Sequence, residues 1–198
     1  MKKELKAYLV PGLTSQDDLN ILYEWAKLVP ENGVIVEIGS FLGRTAVALA
    51  EGAPASTKIY CIDYFPNYFN KIFTKDNNCC GDDDFWKIGK IYNTREEFVK
   101  FTKDYVNITP LVLERPNKVY PYQGELIDLL FLDGAHCNPA DLMNIHYFKK
   151  FLKPNAIICG HDHDPSWPDV IKNVKILEII YKTKAILYES STMWAIRT

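Results

Sequence analysis

Five short apolar runs constrain this chain more than any other feature. They are VIVEIG (34–39), KIYCID (58–63), TPLVLE (109–114), LIDLLFLD (126–133) and NAIICG (155–160), and each ends in an acid or a glycine. Runs that are apolar on both faces read as strands of a parallel sheet, because helices cover that sheet on both sides. Helical spacing between most of them indicates βαβ units. The chain closes with KAILYES (184–190) and TMWAIRT (192–198), a strand pair joined by a tight Ser-Ser turn. Strands linked by so few residues cannot be parallel neighbours, since a parallel crossover needs about a dozen residues. The expected fold is therefore α/β. It is a doubly wound, Rossmann-like, mostly parallel seven-stranded sheet with an antiparallel C-terminal strand.

The helices between the strands carry their own signals. Thr14 or Ser15 can cap a first helix, with Asp17 and Asp18 in its opening turn. Leu19, Leu22, Trp25, Ala26 and Val29 then follow helical spacing, and Pro30 ends it. Further helices are expected over 43–51, 96–106, 139–152 and 168–182. Residues 64–93 fit neither period. They interleave aromatic side chains with Asn and Asp, and read as an irregular insertion that could form a lid and substrate wall.

Composition narrows the class without naming a chemistry. At roughly 150 residues per domain, 198 residues make one domain, 1–198, carrying the insertion. A net charge of -2 argues against a nucleic-acid binder. No apolar run approaches the ~18–20 residues of a membrane span, and the N-terminus lacks the apolar length of a signal peptide. Five cysteines, odd in number and without paired CxxC spacing, suit free thiols in a reducing, cytoplasmic setting.

In open α/β sheets, ligands bind at the carboxyl ends of the strands. Here those ends carry Glu37, Asp63, Glu114, Asp133 and the run Gly160-His161-Asp162. The first loop has the form E-x-G-x-x-x-G, from Glu37 to Gly43, without the first glycine of a dinucleotide fingerprint. A carboxylate at that strand end would repel a pyrophosphate and attract an amino group. No GxxxxGK[ST] loop is present for a nucleoside triphosphate.

VEIGSFLGRT, YCID, LLFLDGAH and LKPNAIICGHDH, in that order, resemble the class I S-adenosylmethionine-dependent methyltransferases. They are similar in particular to the compact small-molecule and sugar O-methyltransferases. The resemblance covers about residues 12–63 and 108–198. It implies S-adenosylmethionine as cofactor, with Glu37 meeting its amino group and Gly39 and Gly43 letting backbone approach it. Ser40, Phe41, Arg44 and Thr45 would flank its tail, and Asp63 would take the ribose hydroxyls. Glu114-Arg115 would lie near the adenine, and Asp133 would border the reacting end.

Methyl transfer to a hydroxyl needs alignment of the nucleophile and removal of its proton. Two devices could serve. Asp133, His161 and Asp162 could hold a divalent cation, magnesium or manganese, that lowers the hydroxyl pKa. Alternatively His136 or His161 could act as general base beside Asp133. The expected activity is O-methylation of a small hydroxylated metabolite such as a sugar. Rival readings are a metal-dependent hydroxylase on the same scaffold, or a non-catalytic S-adenosylmethionine-binding protein. With no room for a substrate domain, the acceptor is small or a second subunit of a homo-oligomer completes the site.

Overall fold

The computed structural model describes residues 4–65, 93–113, 120–134 and 136–198. Most of the 64–93 insertion and the Glu114-Arg115 pair therefore lie outside the described residues, as do Cys79 and Cys80.

Seven strands form one sheet: β1 (Val34–Ile38), β2 (Lys58–Asp63), β3 (Ile108–Val112), β4 (Ile127–Leu132), β5 (Leu152–Gly160), β6 (Ile186–Leu187) and β7 (Trp194–Arg197). Their order is β3-β2-β1-β4-β5-β7-β6. The first five are parallel, and β7 is antiparallel to both β5 and β6. This is the class I methyltransferase arrangement that the motif order implied. The strand order reverses between β1 and β4, which opens a crevice at their carboxyl ends.

Helices α1 (Gln16–Ala26), α2 (Arg44–Gly52) and α3 (Thr94–Thr102) cover one face; α4 (Ala140–Phe148) and α5 (Pro168–Tyr181) cover the other. Period-two alternation sorts β1 between the layers. Val34, Val36 and Ile38 pack with Phe148 and Val174 on the α4/α5 side, whereas Ile35 packs with Leu22 and Ala46 on the α1/α2 side. Glu37 shares the parity of Ile35, so the strand carries a carboxylate into the interior. α1 begins with a reciprocal capping box: the Ser15 side chain accepts from the Asp18 N–H, and Asp18 accepts from the Ser15 N–H.

Several boundaries differ from the sequence reading: the helix expected over 96–106 spans Thr94–Thr102, and the strand expected within 184–190 is only Ile186–Leu187. β5 starts at Leu152 and runs through Lys153-Pro154, which the sequence marks as a helix stop. α4 ends at Phe148, followed by a short 3-10 turn (Lys149–Phe151). A 3-10 turn at Lys6–Leu9 precedes α1 and packs into the core through the fully buried Ala7. The free-thiol expectation also needs correction. Cys61 and Cys159 are free and buried, but Cys137 is disulfide-bonded. Sequence spacing detects local cysteine pairs and is blind to bridges between distant segments, so the argument for a reducing compartment does not extend to Cys137. Among the described residues, no helix is long and apolar enough to cross a membrane.

Candidate active site

The first loop is stitched to its neighbours by backbone. Gly39 N–H donates to Ile62 O at 2.9 Å, and Asp133 N–H donates to Ile38 O at 2.9 Å. Gly39 turns the chain at φ +91°, and a Cβ there would sit 2.0 Å from the Asp133 carbonyl oxygen. Only glycine lets the β1 and β4 ends approach this closely. Gly43, at φ +90°, has its missing Cβ position filled by Thr102 and Phe98 of α3. The glycines of this loop thus make close approach to protein as well as to the crevice.

The two acids of this end are placed differently. Asp63 accepts from Phe41 N–H at 2.8 Å and Phe65 N–H at 3.1 Å, which fixes Phe41 at φ +45°. Burial pushes the Asp63 carboxyl up, and these backbone donors oppose the rise. Glu37 is 0% exposed, and among the described residues neither of its carboxylate oxygens has a hydrogen-bond partner. Burial pushes its carboxyl up, opposed in part by the neighbouring Ser40, Thr45 and Cys61. The Ser40 hydroxyl, also buried, has no partner among them either. Orphaned buried polar atoms are uncommon and call for a reason. A carboxylate and a hydroxyl waiting under a loop fit the ammonium of a bound ligand.

A cavity of about 220 Å³ opens above this floor. Gly39, Ser40, Phe41, Arg44 and Thr45 line one side, and Asp133, His136, His161 and Asp162 line the other. Glu37, Gly43 and Asp63 are not among the residues that line it. The Arg44 guanidinium donates to the carbonyls of Tyr8, Val10 and Thr14, clamping the N-terminal segment so that Gly12–Thr14 completes the rim. Burial lowers the guanidinium pKa, and no carboxylate pairs with it among the described residues.

At the far side, acids and imidazoles alternate. His136 Nδ1 lies 3.3 Å from Asp162 Oδ2, and its Nε2 lies 3.8 Å from Asp133 Oδ1. Asp133, His136 and Asp162 each present a ligand atom within 4.8 Å of the others, a set that could hold a cation. His161, which the sequence places in the metal set, directs Nδ1 at Asp162 Oδ2 (3.1 Å) and Nε2 at Asp18 Oδ2 (3.3 Å). Burial disfavours its charge, but the hydrogen bonds to Asp162 and Asp18 outweigh it and push the imidazole up to about 11. His136 is lowered instead, chiefly by burial, with Asp162 opposing the fall. Burial pushes Asp133 up to about 7, with the Asp162, Glu37 and Asp18 carboxylates adding to the rise and His161 opposing it. His136 and Asp162 hold left-handed backbone, at φ +52° and +62°. Such strain in non-glycine residues gathers at functional sites.

Two participants were missed in the sequence. Asp18 carries a second role beyond capping, and only its position in S15-x-x-D18 hints that it is fixed. Trp167 packs against the core and also lines the cavity, with its ring centroid 5.1 Å from that of His136.

Comparison with known proteins agrees with this geometry. The sequence model of the family described as "Methyltransferase domain" matches residues 36–163. No curated protein sequence matches the chain. Among solved structures, a methyltransferase from Geobacter sulfurreducens superposes with a TM-score of 0.60 at 14% identity, covering 93% of this chain and 79% of its own. The O-methyltransferase TomG from Streptomyces achromogenes, involved in tomaymycin synthesis and solved with S-adenosylmethionine, gives 0.58 at 16% identity over 99% and 91%. An O-methyltransferase from Bacillus cereus, in complex with S-adenosylhomocysteine, gives 0.54 at 16% over 97% and 86%. The match over 36–163 takes in the glycine loop and every acidic strand end of the crevice, on a sheet of this order: the chain belongs to the methyltransferase domain family and has the class I S-adenosylmethionine-dependent fold.

Proposed function

We propose that the chain transfers the methyl group of S-adenosylmethionine to a hydroxyl of a small metabolite such as a sugar, as one domain whose 64–93 insertion shapes the acceptor side. The observation that carries this reading is the single cavity joining the Gly39–Phe41 loop to the Asp133, His136 and Asp162 side chains. When bound, S-adenosylmethionine supplies an activated methyl on a sulfonium. The ammonium of its tail suits the unpartnered Glu37 carboxylate and Ser40 hydroxyl, and its carboxylate suits Arg44 Nη2, the guanidinium nitrogen on the same wall that the Tyr8, Val10 and Thr14 carbonyls leave over. Asp63, with both oxygens on backbone N–H groups, orders the loop and offers its remaining lone pairs to a ribose.

On the acceptor side, Asp133, His136 and Asp162 would hold a magnesium or manganese ion, which supplies Lewis acidity toward a hydroxyl. The two carboxylates favour such hard cations; one imidazole tolerates manganese. Two carboxylates and one histidine are not the two-histidine, one-carboxylate set of non-haem iron oxygenases, which disfavours the hydroxylase reading. A second device is favoured by the placement of His136. With Nδ1 3.3 Å from Asp162 Oδ2, a neutral ring protonated at Nδ1 would keep its Nε2 lone pair for the acceptor proton. The methyl then moves to the hydroxyl oxygen, the proton to Nε2, and S-adenosylhomocysteine leaves.

The test is incubation with methyl-labelled S-adenosylmethionine and a panel of sugars and diols, with and without chelator. Label in a methyl ether, lost on chelation and restored by magnesium or manganese, is the expected result. Label transfer indifferent to chelator selects the His136 base. Binding of S-adenosylhomocysteine without transfer to any hydroxyl overturns the acceptor assignment.

A further inference from the structure

Asp18 lies outside the residues matched by the family model, on a helix whose position alone gives no reason for function. Its side chain is 7% exposed. It accepts from four donors. Ser15 N–H (3.1 Å) and Ser15 Oγ (2.5 Å) reach it from the same turn. Ser191 Oγ reaches it from the β6–β7 turn, and His161 Nε2 from the end of β5. Two of those partners stand 143 and 173 residues away. A helix cap needs the local pair only, so capping does not explain why a carboxylate is sunk at this junction.

The geometry extends beyond Asp18 in a line. His161 is held at both ring nitrogens, by Asp18 on one side and Asp162 Oδ2 on the other, and that same Asp162 oxygen faces His136 Nδ1. Asp162 has few other restraints. Its N–H donates to Thr192 Oγ1 at 3.2 Å, again from the β6–β7 turn, and its backbone holds φ +62°. Removing Asp18 would let the His161 ring rotate about its χ2, and Asp162 would lose the donor that fixes its carboxylate.

We infer that Asp18 is a positioning residue for methyl transfer, clamping His161 so that Asp162 holds His136 beside Asp133. It touches neither the cofactor loop nor the reacting atoms. The inference rests on the proposed reading of Asp133, His136 and Asp162 as the acceptor-activating set. Partners that orient such groups act through ring orientation and carboxylate placement, and their loss weakens a site by 10–100-fold.

The test uses Asp18→Asn, with His161→Gln as a second variant and Ser15→Ala as the control that breaks the cap while leaving His161 clamped. Two measurements are made on folded protein, verified by melting: manganese affinity by electron paramagnetic resonance, and histidine ring nitrogen shifts by NMR. Asp18→Asn and His161→Gln are expected to weaken manganese binding at least tenfold and to move the His136 ring signals. Ser15→Ala is expected to do neither, although it lowers stability. All variants should bind S-adenosylhomocysteine within threefold of wild type. Unmoved His136 signals in both Asp18→Asn and His161→Gln would overturn the inference, whether or not manganese binds. If wild type binds no manganese, the cation reading fails by itself, and the ring shifts alone decide the positioning role.

Discussion

The two walls of the cavity use the same side chain in opposite ways. On the cofactor side, the carboxylates of Glu37 and Asp63 meet backbone N–H groups or nothing. On the acceptor side, those of Asp18, Asp133 and Asp162 meet imidazoles. A backbone partner cannot change charge and is fixed once the strand ends are stitched, so that wall is a product of the fold. An imidazole partner can rotate and bind protons or metals, so the other wall depends on every member of its chain. The cofactor wall should therefore respond to substitution through stability and affinity, and the acceptor wall through turnover.

Gly39→Ala should break that division most forcefully. A Cβ 2.0 Å from the Asp133 carbonyl, on a residue at φ +91°, would drive the β1 and β4 ends apart at a cost of roughly 3 kcal/mol or more. Urea unfolding should show it, and turnover and cofactor affinity should fall together. Asp133→Asn should do the reverse. Turnover in the label-transfer assay should drop about 100-fold, some 2.7 kcal/mol, while calorimetry finds S-adenosylhomocysteine affinity within threefold; a matching loss of affinity would put Asp133 on the cofactor wall.

Glu37→Gln sharpens the comparison through opposite signs. Removing an unpaired buried carboxylate should stabilise the unliganded protein by about 1 kcal/mol and weaken S-adenosylhomocysteine binding by roughly 1–3 kcal/mol. Because burial raises the folded-state pKa of Glu37, the folded state binds more protons than the unfolded state above the unfolded value near 4.5. Stability should therefore fall as pH rises from there. That slope should shrink in Glu37→Gln, and thermal melts across pH 4–8 read it directly. Ser15→Ala should have the smallest effect, about 1 kcal/mol of stability from the lost cap, with kcat unchanged per folded molecule.

How legible each wall was follows from the same contrast. VIVEIG and KIYCID are contiguous, and their periodicity and terminal acids place β1, β2 and the glycine turn without knowledge of the rest of the chain. The mostly parallel sheet and its antiparallel C-terminal strand were readable from such local patterns, although the order of the strands across the sheet was not. Local sequence could not reveal that Glu37 would have no partner, that the Arg44 guanidinium would be spent on three carbonyls of the N-terminal segment, or that Gly43 serves α3. On the acceptor wall, D133-G-A-H136 and H161-D162 announced the residue types. Their roles depend on contacts that span 143 residues or more, such as Asp18 with His161. A motif can show that two histidines are near an acid; it cannot show which ring has both nitrogens occupied. Trp167 both packs against the core and lines the crevice, and an aromatic before a helix-starting Pro168 gives no sign of the second role.

The reversal of strand order beside β1 has a further consequence, for how the molecule comes to be active. β1 and β2 are close in sequence, so the cofactor loop can form from an early stretch of chain. The β1–β4 seam joins segments such as Val34 and Asp128, which hydrogen-bond across 94 residues. Closing so long a loop is entropically slow, and pairings of this kind lag behind local ones. The crevice has no second wall until that seam closes. A partly folded chain could thus display the cofactor loop while lacking any means to act on an acceptor, and catalysis would report completion of the whole sheet, not of the region that carries the motif.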